Sequence, residues 1–476
     1  MKKIFVSALF SVITLSCSNT AMANNTAINE THLPKNIIMI IGDGMGPAFT
    51  TAYRYFNDNP STVKIEETVF DRYLVGSSST YPAPVSGYIT DSAAAATAMA
   101  TGVKTSNNSI AVDVDKKPLL TVLEWAKQQG KKTGVVVTSE INHSTPAAYL
   151  AHNENRRKYK EIADSYIDDG IKADIYLGGG RDYFIREDRN LVNEFKEAGF
   201  HYVDKYSDLK NMPENARVLG LFDKKALPWA LDDSNKHRLS LMTKAAINQL
   251  ENSQGYFMLI EASRIDLSGH ARDISSAMAE MDDLAKTLEY LEDYVANNPD
   301  TLVVLTADHS TGGLSLGRKT GRDINKNIKS LFVWQPQILR AISISPKSFS
   351  DKFAQENLNI QQVNAVLNFT LSVDEMNLLV QAKQQGIKLL KDFEKLSTEQ
   401  QKKRRRPSVS KPILVTIKNI IDVQTNTGWG TISNLGTHTA IDVPVFSFGS
   451  NSKIFTGFQD NTDIGKKIFT LLGDKD

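Results

Sequence analysis

Asn36-Ile37-Ile38-Met39-Ile40-Ile41-Gly42-Asp43-Gly44-Met45-Gly46 is the stretch that decides how this chain folds. Apolar side chains run without interruption from Ile37 to Ile41, so both faces of the strand they form need covering. The glycines that follow end the strand in a turn and leave Asp43 at its carboxyl end. A strand apolar on both faces belongs in a parallel sheet.

The same pattern recurs downstream. Gly134-Val135-Val136-Val137 leads into Thr138-Ser139-Glu140, Tyr256-Phe257-Met258-Leu259-Ile260 into Glu261, and Thr301-Leu302-Val303-Val304-Leu305 into Thr306-Ala307-Asp308-His309. Ala173 to Leu177, before Gly178-Gly179-Gly180, reads as another strand and turn, and Val443 to Phe448 as a late one. Helical segments alternate with them: residues 119 to 129 closed by Gly130, and a stripe of Ile274, Met278, Met281, Ala285 and Leu288 at helical spacing. The alternation predicts an α/β fold, a mostly parallel central sheet flanked by helices on both faces. In such sheets ligands bind outside the carboxyl ends of the strands, where the polar clusters fall.

Between Gly317 and Gly430 the texture changes. Ser372-Val373-Asp374-Glu375 is a capping-box pattern ahead of an amphipathic helix reaching about Leu396, and Lys402-Lys403-Arg404-Arg405-Arg406-Pro407 is a basic run in a polar loop. Residues 319–427 therefore read as a largely helical inserted subdomain that divides the α/β domain into 24–318 and 428–476. The basic run reads first as a solvated loop, with an anion-attracting patch as its alternative.

The 476 residues carry a formal charge of only +1, which argues against a general nucleic-acid binder. Lys2-Lys3, the apolar segment from Ile4 to Cys17 and Ala21-Met22-Ala23 together read as a secretory signal over residues 1–23, so the chain is expected to be exported, to the periplasm or outside the cell. Removing that segment leaves 53 basic against 54 acidic side chains and takes away Cys17, the only cysteine. Disulfides and thiolate metal sites are then excluded, and any metal must be held by oxygen or imidazole. Leu15-Ser16-Cys17 raises lipid attachment as a rival, although Thr14 stands where such sites usually have an aliphatic residue. No other segment is long and apolar enough to span a bilayer.

Thr90-Asp91-Ser92-Ala93-Ala94-Ala95-Ala96 places a hydroxyl at the mouth of an alanine-rich helix that Gly102 terminates. There the free backbone N–H groups and the helix dipole favour an anion. Taken alone, Asp91-Ser92 is a helix cap; Ser92 becomes a candidate nucleophile through what surrounds it. Asp43, the group Glu261, Asp266 and His270, the pair Asp308-His309, and His438 within Gly436-Thr437-His438-Thr439 are candidate metal ligands. Asp266 and His270 are four apart and share one helical face. Each fragment alone is weak, but all of them fall at one edge of one sheet. Ligands of this kind suit catalytic zinc, and an all-oxygen position suits magnesium. Two divalent ions about 4 Å apart can clamp the attacking and leaving oxygens of an in-line displacement. Phosphate monoesters, whose uncatalysed hydrolysis is among the slowest known, call for such a site.

Through Gly42-Asp43-Gly44-Met45-Gly46, Thr90-Asp91-Ser92-Ala93, Thr306-Ala307-Asp308-His309 and Gly436-Thr437-His438-Thr439, the chain resembles the alkaline phosphatases. The resemblance covers nearly the whole mature chain except the insert, which it implies to be a crown-like subdomain of the catalytic α/β domain. It implies two zinc ions and one magnesium per subunit. Asp266, His270 and His438 would hold the first zinc, Asp43, Asp308 and His309 the second, and Asp43, Glu261 and Thr145 the magnesium. His143, in His143-Ser144-Thr145-Pro146, would stand one shell out, and Arg156 would bind phosphate, with Arg157 as the fallback. His152 is read as structural. Leu267 follows Asp266 where relatives often carry Lys, His or Trp, so phosphate affinity and turnover are expected to differ. The implied reaction is a two-step transfer through a phosphoserine at Ser92, with small phosphate monoesters as substrates and a homodimer as the assembly. A phosphodiesterase of the same superfamily stays open, as does a non-catalytic, metal-stabilised extracellular binding protein. A sulfatase does not fit, because alanines follow Ser92 where x-Pro-x-Arg would be needed.

Overall fold

The computed structural model describes residues 33–317, 333–431 and 438–473. The expected signal segment 1–23, the start of the insert at 319, and Gly436 and Thr437 lie outside the described residues. The strands are β1 (Asn36–Ile41), β2 (Leu74–Ser79), β3 (Lys132–Glu140), β4 (Ile175–Gly179), β5 (Phe200–Val203), β6 (Arg217–Leu221), β7 (Tyr256–Glu261), β8 (Thr301–Thr306), β9 (Ser310–Thr311), β10 (Leu314–Leu316), β11 (Thr427–Trp429), β12 (His438–Thr439), β13 (Val443–Gly449) and β14 (Gly457–Asp460).

Ten of them form one sheet in the order β14-β2-β13-β8-β1-β7-β3-β4-β6-β5. Every neighbouring pair is parallel except the two that β13 makes, with β2 and with β8. The central position of β1 follows from its composition. Ile38 and Ile40 belong to one buried cluster with Met258, Ile260, Val303 and Leu305, while Ile37, Met39 and Ile41 join Phe257, Leu259, Leu302 and Val304 on the opposite face. The continuous apolar run is thus two alternating faces, each closed by helices.

The strands expected from the sequence are present as β1, β3, β4, β7, β8 and β13. The unforeseen strands of this sheet, β2, β5, β6 and β14, lie toward its two edges, and the short β9 to β12, also unforeseen, pair outside it. The four in the sheet are four to six residues long, and Leu-Val-Gly-Ser-Ser-Ser of β2 has no apolar run to announce it.

The helix Ser92–Thr101 is buried along its whole length. It packs against the helix Asn461–Leu471 so closely that a Cβ on Gly465 would lie 2.7 Å from the Met99 carbonyl oxygen. The alanines, besides favouring the helix, make that approach possible. The 24-residue helix Ile274–Asn297 buries the expected stripe against the other face.

Within 333–427 the chain forms the helices Gln337–Ala341, Pro346–Gln355, Ile360–Leu367, Val373–Glu394, Thr398–Lys402 and Ser410–Thr425. Their buried Phe349, Val363, Leu379 and Ile417 share a core with Ile38 and Met258, so these helices rest on the sheet domain itself. At the contact, Lys418 Nζ donates to the carbonyl of Ala271, at the end of the helix Arg264–Ala271.

Candidate active site

Three adjacent strands, β8, β1 and β7, set the register of the site. Ile41 pairs with Glu261 on one side and Thr306 on the other, so Glu261 ends β7 level with the end of β1. Asp43 and Asp308 each lie two residues past those ends. Gly44, at φ +73°, turns the chain here and donates its N–H to Asp308 Oδ1 at 2.9 Å. A Cβ on Gly44 would stand 2.8 Å from Asp266 Cα. Only glycine lets this loop lie against the helix that carries Asp266 and His270.

The candidate ligands collect into three groups, each with one ligand atom per residue lying within 4.8 Å of the others: Asp266, His270 and His438; Asp43, Asp266 and His309; and Asp43, His143 and Glu261. In the first, His270 Nε2 is 3.2 Å from Asp266 Oδ2 and 3.2 Å from His438 Nε2. His438 Nδ1 lies 2.9 Å from the carbonyl of Thr90, to which it donates, which fixes the ring with Nε2 turned toward the site. In the second, His309 Nε2 is 3.1 Å from Ser92 Oγ, 3.2 Å from Asp308 Oδ2 and 3.5 Å from Asp43 Oδ1.

Thr311 orients this second group. Its hydroxyl donates to Asp266 Oδ1 at 2.5 Å and, with its one proton engaged there, accepts from His309 Nδ1 at 3.1 Å. His309 Nε2 is thereby left as the lone-pair nitrogen aimed at Ser92. Ser139 acts similarly on the third group, donating to Glu261 Oε2 at 3.2 Å. The sequence reading passed over both residues. Ser139 was visible as part of a polar strand end, whereas Thr311 carries no signal of its own.

Thr145, in the helix Ser144–Leu150, is fully buried. His143, the N-cap of that helix, thus stands in the third group beside Asp43 and Glu261.

Four carboxylates are buried together here. Burial pushes Glu261 up to about 7 and Asp308 up to about 6. Asp43 is raised well above the usual carboxylate range by burial, then by Asp308, Asp266 and Glu261. Burial raises Asp266 as well, but its hydrogen bond to His270 and the nearby histidines outweigh that and hold it low. Burial lowers His309, and lowers His143 to about 3, so both are neutral. Asp43 Oδ1, Glu261 Oε1, Asp308 Oδ2 and Thr145 Oγ1 are buried without a hydrogen-bond partner. Converging oxygens with no donor, beside neutral imidazoles, are the donor set that divalent cations require, and the residues fit such ions.

Ser92 opens its helix at the site. The carboxylate of Asp91, the N-cap, accepts from the backbone N–H of Ala94 at 3.0 Å and of Asn108 at 2.9 Å, and from Arg156 Nη1 at 3.1 Å. The cap that the sequence announced therefore also anchors the arginine. Arg157, the fallback, lines a shallow surface groove with Tyr159 and Tyr183 instead. His152 is held between Ala111 O at 2.9 Å and Glu124 Oε1 at 3.0 Å, away from the metal groups. Leu267 is half-buried.

A family model for alkaline phosphatase matches residues 34–473. The chain is 41% identical to alkaline phosphatase 3 of Bacillus subtilis over 449 residues, covering 92% of this chain and 89% of that protein. It is 39% identical to alkaline phosphatase 4 of the same organism over 447 residues, 92% and 88% of the two chains. Among solved structures, a cold-active alkaline phosphatase from a psychrophilic Shewanella species superposes with a TM-score of 0.81 at 42% identity, over 92% of this chain and 100% of that one. Likeness of this extent runs from β1 to β14 and takes in every strand end that carries a buried carboxylate. The chain belongs to the alkaline phosphatase family and is a phosphoric monoester hydrolase.

Proposed function

We propose that the enzyme hydrolyses phosphate monoesters through a phosphoserine on Ser92 and depends on divalent cations, two zinc ions and one magnesium. The observation that carries this reading is the 3.1 Å approach of Ser92 Oγ to His309 Nε2, inside a nest of buried, undonated carboxylate oxygens. Asp266, His270 and His438 would hold one zinc; Asp43, Asp308 and His309 the other; Asp43, Glu261 and Thr145 the magnesium. Such ions supply Lewis acidity, neutralising charge on phosphate oxygens and lowering the pKa of a bound hydroxyl or water.

The chain's own groups do the positioning. The helix start holds the Ser92 hydroxyl where backbone N–H groups favour its anion. Arg156, steadied by Asp91, offers two N–H groups to the phosphate oxygens and binds them more tightly as charge develops. Ser92 Oγ attacks phosphorus, the ester P–O bond breaks and the alcohol leaves. Water then cleaves the Ser92 phosphoester, releasing inorganic phosphate and restoring the hydroxyl. The Lys2-Lys3 start, the apolar segment after it and Ala21-Met22-Ala23 support export. Family likeness supports a homodimer with residues 319–427 as its inserted subdomain.

Acid quenching during turnover should give a Ser92 peptide heavier by one phosphoryl group. Ser92→Ala should lower kcat by about a thousandfold or more while retaining zinc. A variant as active as the parent, or no labelled peptide, refutes the nucleophile.

A further inference from the structure

The basic run at Lys402–Arg406 has no part in the reaction above. It belongs to a larger feature. Residues 383–411 hold ten lysines and arginines against three acids, while the rest of the chain carries 45 basic against 51 acidic side chains. Positive charge is therefore dense in this segment, while the rest of the chain taken together is net acidic.

The fold gathers that segment into a tip. The helix Val373–Glu394 runs outward and the helix Ser410–Thr425 returns. The chain crosses back at Val409, whose Cα would lie 2.8 Å from a Cβ on Gly386, and Arg406 pairs with Glu394 at 3.2 Å. All three acids are taken: Glu394 by Arg406, Glu399 by Lys403 and Asp392 by Lys395. Lys388, Lys391, Lys402, Arg404, Arg405 and Lys411 remain exposed, with no ionic partner among the described residues. Lys388 and Lys391 stand three apart on one helix, where like charges destabilise it. Stability alone does not favour this arrangement.

The tip also suits one kind of partner. Ile387 and Leu389, 36% and 46% exposed, sit among the lysines. The segment's only aromatic residue, Phe393, is half-buried, so there is no platform on which bases would stack. A long polyanion lying along the molecule would meet the acidic body. A plane approached tip-first meets only the tip, since charges more than about 8 Å away are largely screened at physiological salt. Lys418, about 10 Å of helix beyond Lys411, touches the end of the helix that carries Asp266 and His270, so docking would hold the active site near the plane.

We propose that residues 383–411 form a docking surface for an anionic phospholipid bilayer, with the basic side chains on headgroup phosphates and Ile387 and Leu389 at the acyl boundary. The test is co-sedimentation of the intact enzyme with vesicles of phosphatidylcholine alone or mixed with phosphatidylglycerol. The enzyme should partition onto the mixed vesicles only, and leave them when salt rises from about 0.1 M to about 1 M. Each basic group near such a surface strengthens partitioning on the order of fivefold. Lys391→Glu, Lys402→Glu, Arg404→Glu and Arg405→Glu combined should therefore weaken it by at least a hundredfold. Hydrolysis of a soluble monoester without vesicles should be unchanged in that variant, because none of the four side chains touches the site. Equal binding to both vesicles, unchanged partitioning of the variant, or binding of duplex DNA without binding of mixed vesicles each overturns the proposal.

Discussion

Replacing Glu261 by Gln distinguishes a carboxylate that serves the fold from one that serves a cation. Burial raises Glu261 from an ordinary 4.5 to about 7, so in the metal-free protein its neutral form is the one the fold prefers. Stability from that preference is fully present below pH 4.5 and is lost as pH rises through 7. At pH 8 the ionised group costs roughly 3 kcal/mol, the free energy that separates an ordinary 4.5 from about 7. Gln cannot ionise, and its amide oxygen can still accept from Ser139, which lies 3.2 Å from Glu261 Oε2. In chelator at pH 8, Glu261→Gln should thus be more stable than the parent. With an unfolding entropy of about 0.9 kcal/mol/K for a chain this long, the melting temperature should rise by roughly 3 to 4 °C. At pH 5 the difference should shrink to about 1 °C or less, and with zinc and magnesium at pH 8 its sign should reverse. Differential scanning calorimetry under the three conditions measures it. A variant less stable than the parent in chelator at pH 8 would refute the reasoning, since Glu261 would then be acting as a structural hydrogen-bonding group.

Two further outcomes follow from the geometry. Arg156→Lys removes the paired N–H donors and the 3.1 Å contact with Asp91, so kcat/KM for a soluble monoester should fall roughly 10- to 100-fold and inhibition by inorganic phosphate should weaken; unaltered kinetics would exclude the residue from phosphate binding. Gly44→Ala forces a side chain into φ +73° and to within 2.8 Å of Asp266 Cα, which should cost about 2 kcal/mol or more and lower the metal retained after dialysis; full metal content and an unshifted melt would show that the loop relaxes freely.

The central strands were legible because each compresses its evidence into a few adjacent residues. Ile37 to Ile41 can only be buried, and Asp43 after them can only stand at a sheet edge. The edge strands were not, because β2 and β14 are recruited by pairing partners more than their own side chains. Asp91 shows an intermediate case. Its capping role is local and could be read, while its hold on Arg156 spans 65 residues and could not. Thr311 is the clearest omission: it follows His309 by two residues, but a threonine there carries no chemical signal of its own. Its importance comes from sitting between Asp266 and His309, on different elements of the fold.

The sequence by itself determined the parallel sheet, the alanine helix that presents Ser92, and which side chains fall at the strand ends, because strand burial, helix propensity and turn chemistry act over a few residues. Only the tertiary structure decided which of those ends meet. The order β8-β1-β7 brings Asp43, Glu261 and Asp308 side by side, β12 carries His438 onto Thr90 and His270, and the desolvation that follows raises three carboxylates while holding His309 neutral. Those properties belong to distances between residues remote in the chain and to the exclusion of water between them, and no short stretch of sequence contains either.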